Sequence, residues 1–191
     1  MRNIVLFAHI SLDGFVAGSK GELDGFPVGD ENLKFVCDLT EQADAALFGR
    51  LSYQLLDSYW PTAKDRVNAS KNEIAYSNWY NSATKIVISK TITQEKLNNT
   101  VVIGGNFPHE ITKLKELPGK DILIFGSPSV SKVLMQLGLI DSYWIFVNPV
   151  IFSEGIPLFG GLSKKIKLKL EATKQFPNGE IALNYLPDNQ Q

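Results

Sequence analysis

Five short stretches of the chain are continuously apolar and rich in β-branched residues: NIVLFAHI (3–10), AALFG (45–49), KIVIS (85–89), TVVIG (100–104) and DILIFG (121–126). Unbroken apolar character, without in-out alternation, suits a strand buried on both faces of a parallel sheet. Between these runs the spacing turns helical. After GDEN, Leu33, Val36 and Cys37 fall at i, i+3 and i+4 behind acidic residues that suit a first turn. After FGS, Val130, Val133, Leu134 and Leu137 form a stripe that ends at Gly138, and residues 68–81 and 107–117 are further helix candidates. Strand and helix alternate, which predicts an α/β fold with a mainly parallel sheet.

The last third has a different pattern. DSYWIFVNPVIF (141–152), KIKLKLEATKQF (165–176) and EIALNYL (180–186) read as strands with no helix between them, and PNG (177–179) as the turn of an antiparallel hairpin. In KIKLKLEA the lysines alternate with Ile166, Leu168 and Leu170, which predicts one wet face and a place at a sheet edge, where lysines discourage stray pairing.

Composition narrows this picture to one domain over residues 1–191, with 44% hydrophobic residues to fill its core. Nineteen basic against twenty acidic residues give a formal charge of −1, so neither nucleic acid nor a membrane surface is an expected partner and any anion site must be local. The single cysteine, Cys37, excludes an internal disulfide framework. His9 and His109 lack ligand spacing, so no metal site is expected. The N-terminal apolar run has the length of a strand and is followed by no cleavage pattern, so a cytoplasmic protein is expected.

Parallel sheets bind ligands beyond the carboxyl ends of their strands, where helix N-termini offer unpaired N–H groups. Three such junctions carry suitable residues. Gly49 is followed by Arg50, whose guanidinium can grip a phosphate in two places, and by Ser52. Ser89 and Lys90 leave the next strand. In FGSPSVSK, Gly126 permits close backbone approach, Ser127 can cap a helix and Pro128 suits its first turn. Taken singly, each also reads as an ordinary capped helix, surface ion pair or strand exit; together they suggest a ligand with several phosphates. GxGxxG after the first strand, GxxxxGK[ST], GxSxG and a zinc-deaminase cluster are all missing, which disfavours a classical Rossmann domain, a P-loop enzyme and a serine hydrolase.

SLDGFVAG (11–18), ADAALFGRLSY (43–53), KIVISKT (85–91) and the long DILIFGSPSVSKVLMQLGLIDSYWIFVNPVIFSEGIPLF (121–159) occur in one order along nearly the whole chain. In this they resemble the dihydrofolate reductase-like superfamily, and within it the reductase domain of riboflavin biosynthesis. The resemblance implies a three-layer α/β fold whose mostly parallel central sheet, of about eight strands, ends in an antiparallel C-terminal hairpin. It implies NADPH as hydride donor, a pyrimidine-like or pteridine-like heterocycle as substrate, as for 5-amino-6-(5-phosphoribosylamino)uracil reductase, and a homodimer.

By position, the backbone at Ala8 and His9, with Val16, would hold the nicotinamide; Gly49, Arg50 and Ser52 would meet phosphates; Ser89 and Lys90 would lie by the 2′-phosphate; Gly126, Ser127, Ser129 and Val130 would cover the pyrophosphate. The chain departs from the pattern at Ser127, where dihydrofolate reductases have a second glycine, and at Phe15, where riboflavin reductases carry a basic residue. A reduction also needs a proton source. Asp13 and Glu31 are the candidates, with Asp30 beside Glu31. Against these stand an Asp-Gly turn that needs no catalytic explanation and a helix start that favours any acid. The alternatives are a dihydrofolate reductase-type activity and a non-catalytic nucleotide-binding module of the same fold. The stretch HISLDGFVAGSKGELDG (9–25), with glycines at 14, 18, 21 and 25, is expected to form a loop that closes over the ligands.

Overall fold

The computed structural model describes residues 1–27, 29–92 and 99–188. Its elements run β1 (Ile4–Ile10), β2 (Phe15–Ala17), α1 (Asp30–Thr40), β3 (Ala43–Gly49), α2 (Arg50–Asp57), α3 (Trp60–Ala63), α4 (Lys71–Ser82), β4 (Thr84–Ile88), β5 (Thr100–Ile103), α5 (Phe107–Glu116), β6 (Asp121–Phe125), α6 (Pro128–Gln136), β7 (Ser142–Val147), β8 (Ile156–Pro157), β9 (Leu168–Gln175) and β10 (Ile181–Pro187). Eight strands form one sheet in the order β5-β4-β3-β6-β1-β7-β10-β9, and β2 pairs with β8 as a separate ribbon. The chain clusters into two compact units: Met1–Arg2 with Val28–Leu123, and Asn3–Pro27 with Ile124–Gln191.

In the first unit β3, β4 and β5 are parallel, and the register sets Gly49 opposite Ile88 and Ile88 opposite Ile103, so the three carboxyl ends line up. The apolar runs are buried as expected; Ala46, Leu47, Phe48, Ile86 and Val87 all lie in the core. Helix α1 begins with Asp30 and Glu31 and buries Val36, and α4 opens on a capping box between Ser70 and Glu73. Two helices have no counterpart in the sequence pattern. Helix α2 follows β3 with no intervening loop, and α3 is a single turn; Tyr53 and Ala63 are their only buried residues among those described, too few to form a stripe.

In the second unit β1 is parallel to β7, and β10 is antiparallel to both β7 and β9. The hairpin turn at 177–179 is as expected, with Gly179 at φ +86°. The strand expected over 141–152 stops at Val147. Asn148 there turns its side-chain amide back onto the carbonyls of Ile10 and Phe146, and the next residue, Pro149, has no N–H to continue a ladder. Strand β9 does lie at the sheet edge, but it is wet on both faces and not on one. Its neighbour in the sheet is β10 alone, and Leu170 remains 48% exposed. Helix α6 ends earlier than the apolar stripe. Leu139 N–H bonds the Leu134 carbonyl, Gly138 N–H bonds that of Met135, and Gly138 adopts φ +68°, a Schellman motif that leaves Leu137 outside the buried face.

Candidate active site

Within the second unit, the carboxyl end of β1 carries Ala8, which is buried, and His9, whose side chain is about a third exposed (32%). The next turn is tied down from several directions. The Ser11 hydroxyl donates to Asp13 Oδ1 (2.6 Å) and accepts from Phe15 N–H (3.0 Å), while Ser11 N–H bonds the Phe15 carbonyl (2.9 Å). Asp13 in turn accepts the backbone N–H groups of Phe152 (3.1 Å) and Ser153 (2.8 Å). The β2–β8 ribbon adds Phe15 opposite Pro157 and Ala17 opposite Ile156, with Val16 half-buried between them. The first half of the glycine-rich stretch is therefore an anchored ribbon and not a free loop. Beyond it, Gly18–Glu22 closes its own turn, in which the Glu22 carboxylate accepts Lys20 N–H (2.8 Å).

These bonds give Asp13 a particular electrostatic state. The Ser11 hydroxyl, followed by the N–H groups of Phe152 and Ser153, holds its carboxyl below the usual range. The side chain acts as a clamp across the turn, and a carboxyl kept ionised in this way is poorly suited to release a proton.

The phosphate-suited segment of this unit is opened by backbone conformation. Gly126 N–H bonds the Phe7 carbonyl (2.8 Å), Gly126 has φ +56°, and a Cβ built there would meet nothing within 4 Å. Ser127 follows at φ +45°, a left-handed conformation that is uncommon for a residue with a side chain. It stands at the N-cap of α6 as anticipated, but its side chain makes no capping bond; its carbonyl receives the N–H groups of Val130 and Ser131 (both 2.9 Å), and the Ser131 hydroxyl bonds the Gly126 carbonyl (2.6 Å). Val130 and Ser127 are buried and Ser129 is exposed. Among the described residues the Ser129 N–H has no partner, so this turn offers a donor beside an unobstructed glycine.

The first unit holds the other candidates. Gly49 is buried at the N-cap of α2, Arg50 is exposed with its guanidinium on Gln54 Oε1 (3.1 Å), and Ser52 is half-buried one turn on. At the adjacent strand end Ser89 is buried, its hydroxyl accepting Thr91 N–H (3.1 Å) and Ile92 N–H (3.0 Å), and Lys90 is exposed. The parallel register of β3 and β4 thus brings Arg50 and Lys90 to the same end of neighbouring strands. Asp30 is spent on α4, accepting from Ser70 Oγ and Asn72 Nδ2 (both 2.9 Å), whereas Glu31 is exposed.

One polar pair escaped sequence reasoning. Glu180, with none of its surface exposed, places Oε1 2.7 Å from His9 Nδ1. Register explains the meeting: His9 and Ala182 both stand opposite Phe146 on β7, and Glu180, two residues from Ala182, shares its face. The only sequence signal was an acid at the head of an apolar strand, and nothing local linked it to residue 9.

Sheet order and the antiparallel C-terminal hairpin define a dihydrofolate reductase-like fold. Dihydrofolate reductase of Enterococcus faecalis, solved in complex with NADP(H), superposes with TM-score 0.66 at 15% identity, over 98% of this chain and 97% of that one. The chain belongs to the RibD C-terminal domain family, whose model matches residues 2–182. The deaminase/5-amino-6-(5-phosphoribosylamino)uracil reductase of Thermotoga maritima superposes with TM-score 0.68 at 17% identity, over 98% of this chain and 57% of that one. The uncharacterized protein YyaP of Bacillus subtilis (strain 168) is 34% identical over 184 residues, 96% of this chain and 94% of its own length. No helix among the described residues is long and apolar enough to cross a membrane.

Proposed function

We propose that the protein is a reductase that uses NADPH to reduce a pyrimidine-like or pteridine-like heterocycle. The observation that carries this reading is the opened turn at 126–129: a glycine with free space above it, a left-handed Ser127 and an unpartnered Ser129 N–H, in a chain of the RibD C-terminal domain family. These features fit a pyrophosphate, because they let its oxygens approach the backbone and meet a helix N-terminus.

NADPH, when bound, supplies the hydride. Residues of the second unit would bind and orient it: Gly126, Ser127, Ser129 and Val130 would take the pyrophosphate, and Ala8 and His9 with Val16 the nicotinamide; in the first unit, taken by itself, Gly49, Arg50 and Ser52, and Ser89 with Lys90, suit phosphate groups. The half-buried Phe15 offers a flat heterocycle an apolar contact and provides no charge for a phosphorylated one. We infer in addition that β9, exposed on both faces, seats a second copy of the chain; sedimentation showing only monomer at micromolar concentration would contradict this.

Titration with NADPH and NADH, followed by nicotinamide fluorescence and by thermal shift, tests the reading. NADPH should bind more tightly, and binding of neither would reject it. Steady NADPH consumption with a reducible pterin or aminouracil separates a reductase from a nucleotide-binding module that has lost turnover, and the preferred substrate separates the riboflavin type from the dihydrofolate reductase type.

A further inference from the structure

We propose that His9 is the proton donor of the reduction and that buried Glu180 is the positioning residue that holds its ring oriented. This rests on the reductase reading above. A carboxylate with no exposed surface is costly to bury and is retained only where a partner compensates it. The partner here is His9 Nδ1, at 2.7 Å.

The surroundings restrict the pair to this use. The His9 ring packs edge-on against Phe7 (5.2 Å between ring centres), beside Phe146 (4.8 Å) and near Phe26 (6.3 Å). Among the described residues that contact His9 by ring or charge, Glu180 is the ionisable one, and its carboxyl fixes which ring nitrogen faces inward. Among the described residues Nε2 has no hydrogen-bond partner, and a third of the side chain remains open to solvent.

The pair stands at the carboxyl end of β1, the end of a parallel strand where ligands bind. Asp13, the carboxylate on the turn that follows, is less suited to the task because its three donors hold it ionised.

A hydride from the reduced nicotinamide dinucleotide reaches the electron-poor carbon of a C=N group, and the π pair moves onto nitrogen. That nitrogen takes the proton as the Nε2–H bond of His9 breaks. The dinucleotide is oxidised and the C=N bond reduced to an amine. His9, left neutral, recovers a proton from water at its exposed edge.

Two experiments test the pair. In the cofactor-free protein, ring-nitrogen NMR of the two histidines, assigned by loss of the His9 signals in His9→Gln, should show an Nδ1-bound proton shielded from exchange in wild type and altered in Glu180→Gln. In turnover assays His9→Gln should lower kcat by roughly 10²–10⁴-fold, with KM changed far less, and should remove the alkaline limb of the pH profile. The isosteric Glu180→Gln should keep the fold and lower kcat, with KM changed far less. His9→Gln with wild-type kcat and pH profile would overturn the proposal and leave the reductase reading intact. An unaltered Nδ1 proton in Glu180→Gln would remove the positioning role. A wild-type protein that binds no nicotinamide dinucleotide would sink both readings, and a preserved NMR signature would then mark the pair as a structural pin.

Discussion

Replacing Gly155 by alanine tests whether the β2–β8 ribbon is a rigid anchor of the turn after β1. Gly155 has φ +156°, and a Cβ there would overlap the carbonyl oxygen of Ala17 and stand 3.2 Å from Cβ of Phe15. Backbone must yield, because a carbonyl cannot swing aside as a side-chain tip would. Overpacking of this kind costs about 1–3 kcal/mol, and the unfavourable φ adds about 1 kcal/mol, so the total is about 2–4 kcal/mol. At 2–4 °C per kcal/mol for a chain of this length, Tm should fall by roughly 4–16 °C. Two further glycines separate the contributions. Gly21→Ala, at φ +86° with nothing within 4 Å, carries conformational strain alone and should cost about 1–2 kcal/mol. Gly105→Ala, in open space without a positive φ, should lie within about 0.5 kcal/mol of wild type. Urea titrations of the three variants read these values directly. Gly155→Ala no less stable than Gly21→Ala would refute the close approach of residues 17 and 155.

Three other outcomes follow from charge and burial. Because hydrogen bonds depress the Asp13 carboxyl, its contribution is present above the ordinary value of 3.8 and fades as pH falls through the lower folded value; Asp13→Asn should flatten the acid limb of a stability-pH curve below about pH 4, and an unchanged limb would deny the clamp. Burial, helped by Asp141, pushes the Tyr143 phenol up to about 12, and burial likewise raises Tyr76 and Tyr80, the latter also facing Asp57. Phenols raised in this way stabilise fully below their unfolded value of 10 and lose that contribution above it, so stability should drop at alkaline pH and these three phenolates should appear only with unfolding; early absorbance from all six tyrosines would contradict this. Burial first, then Asp38, Asp30 and Glu41, raises the Cys37 thiol, so iodoacetamide should alkylate it more slowly, at any pH from 7 to 9, in the native protein than in urea; equal rates would contradict the burial.

The sheet was legible because its strands are unbroken apolar runs, and a parallel arrangement leaves few other uses for them. Helix α2 was not, since one buried residue, Tyr53, marks no periodicity, and β2 and β8 are too short to alternate. The strand ends at Gly49–Arg50, Ser89–Lys90 and Gly126–Ser127 were singled out from residue type alone, and each does stand at a strand's carboxyl end. What their hydroxyls do was not: Ser89 closes its own turn, and Ser127 takes a left-handed backbone in place of a side-chain cap. Asp13 showed itself as an Asp-Gly turn, but its partners at 152 and 153 lie far along the chain. The His9–Glu180 pair depends on two strand registers, which a linear pattern does not contain.

That pair also sets a schedule for biosynthesis. Strand β1 leaves the ribosome well before its neighbour β7 and before the acid that meets His9. At 5–20 residues per second, roughly 10–30 s separate the emergence of His9 from that of Glu180. Until β7 emerges the nascent chain displays an almost wholly apolar segment without that pairing, a natural point of engagement for a chaperone. Nascent chains stalled before β7 should therefore expose β1 to hydrogen exchange and protease, and released chains should protect it.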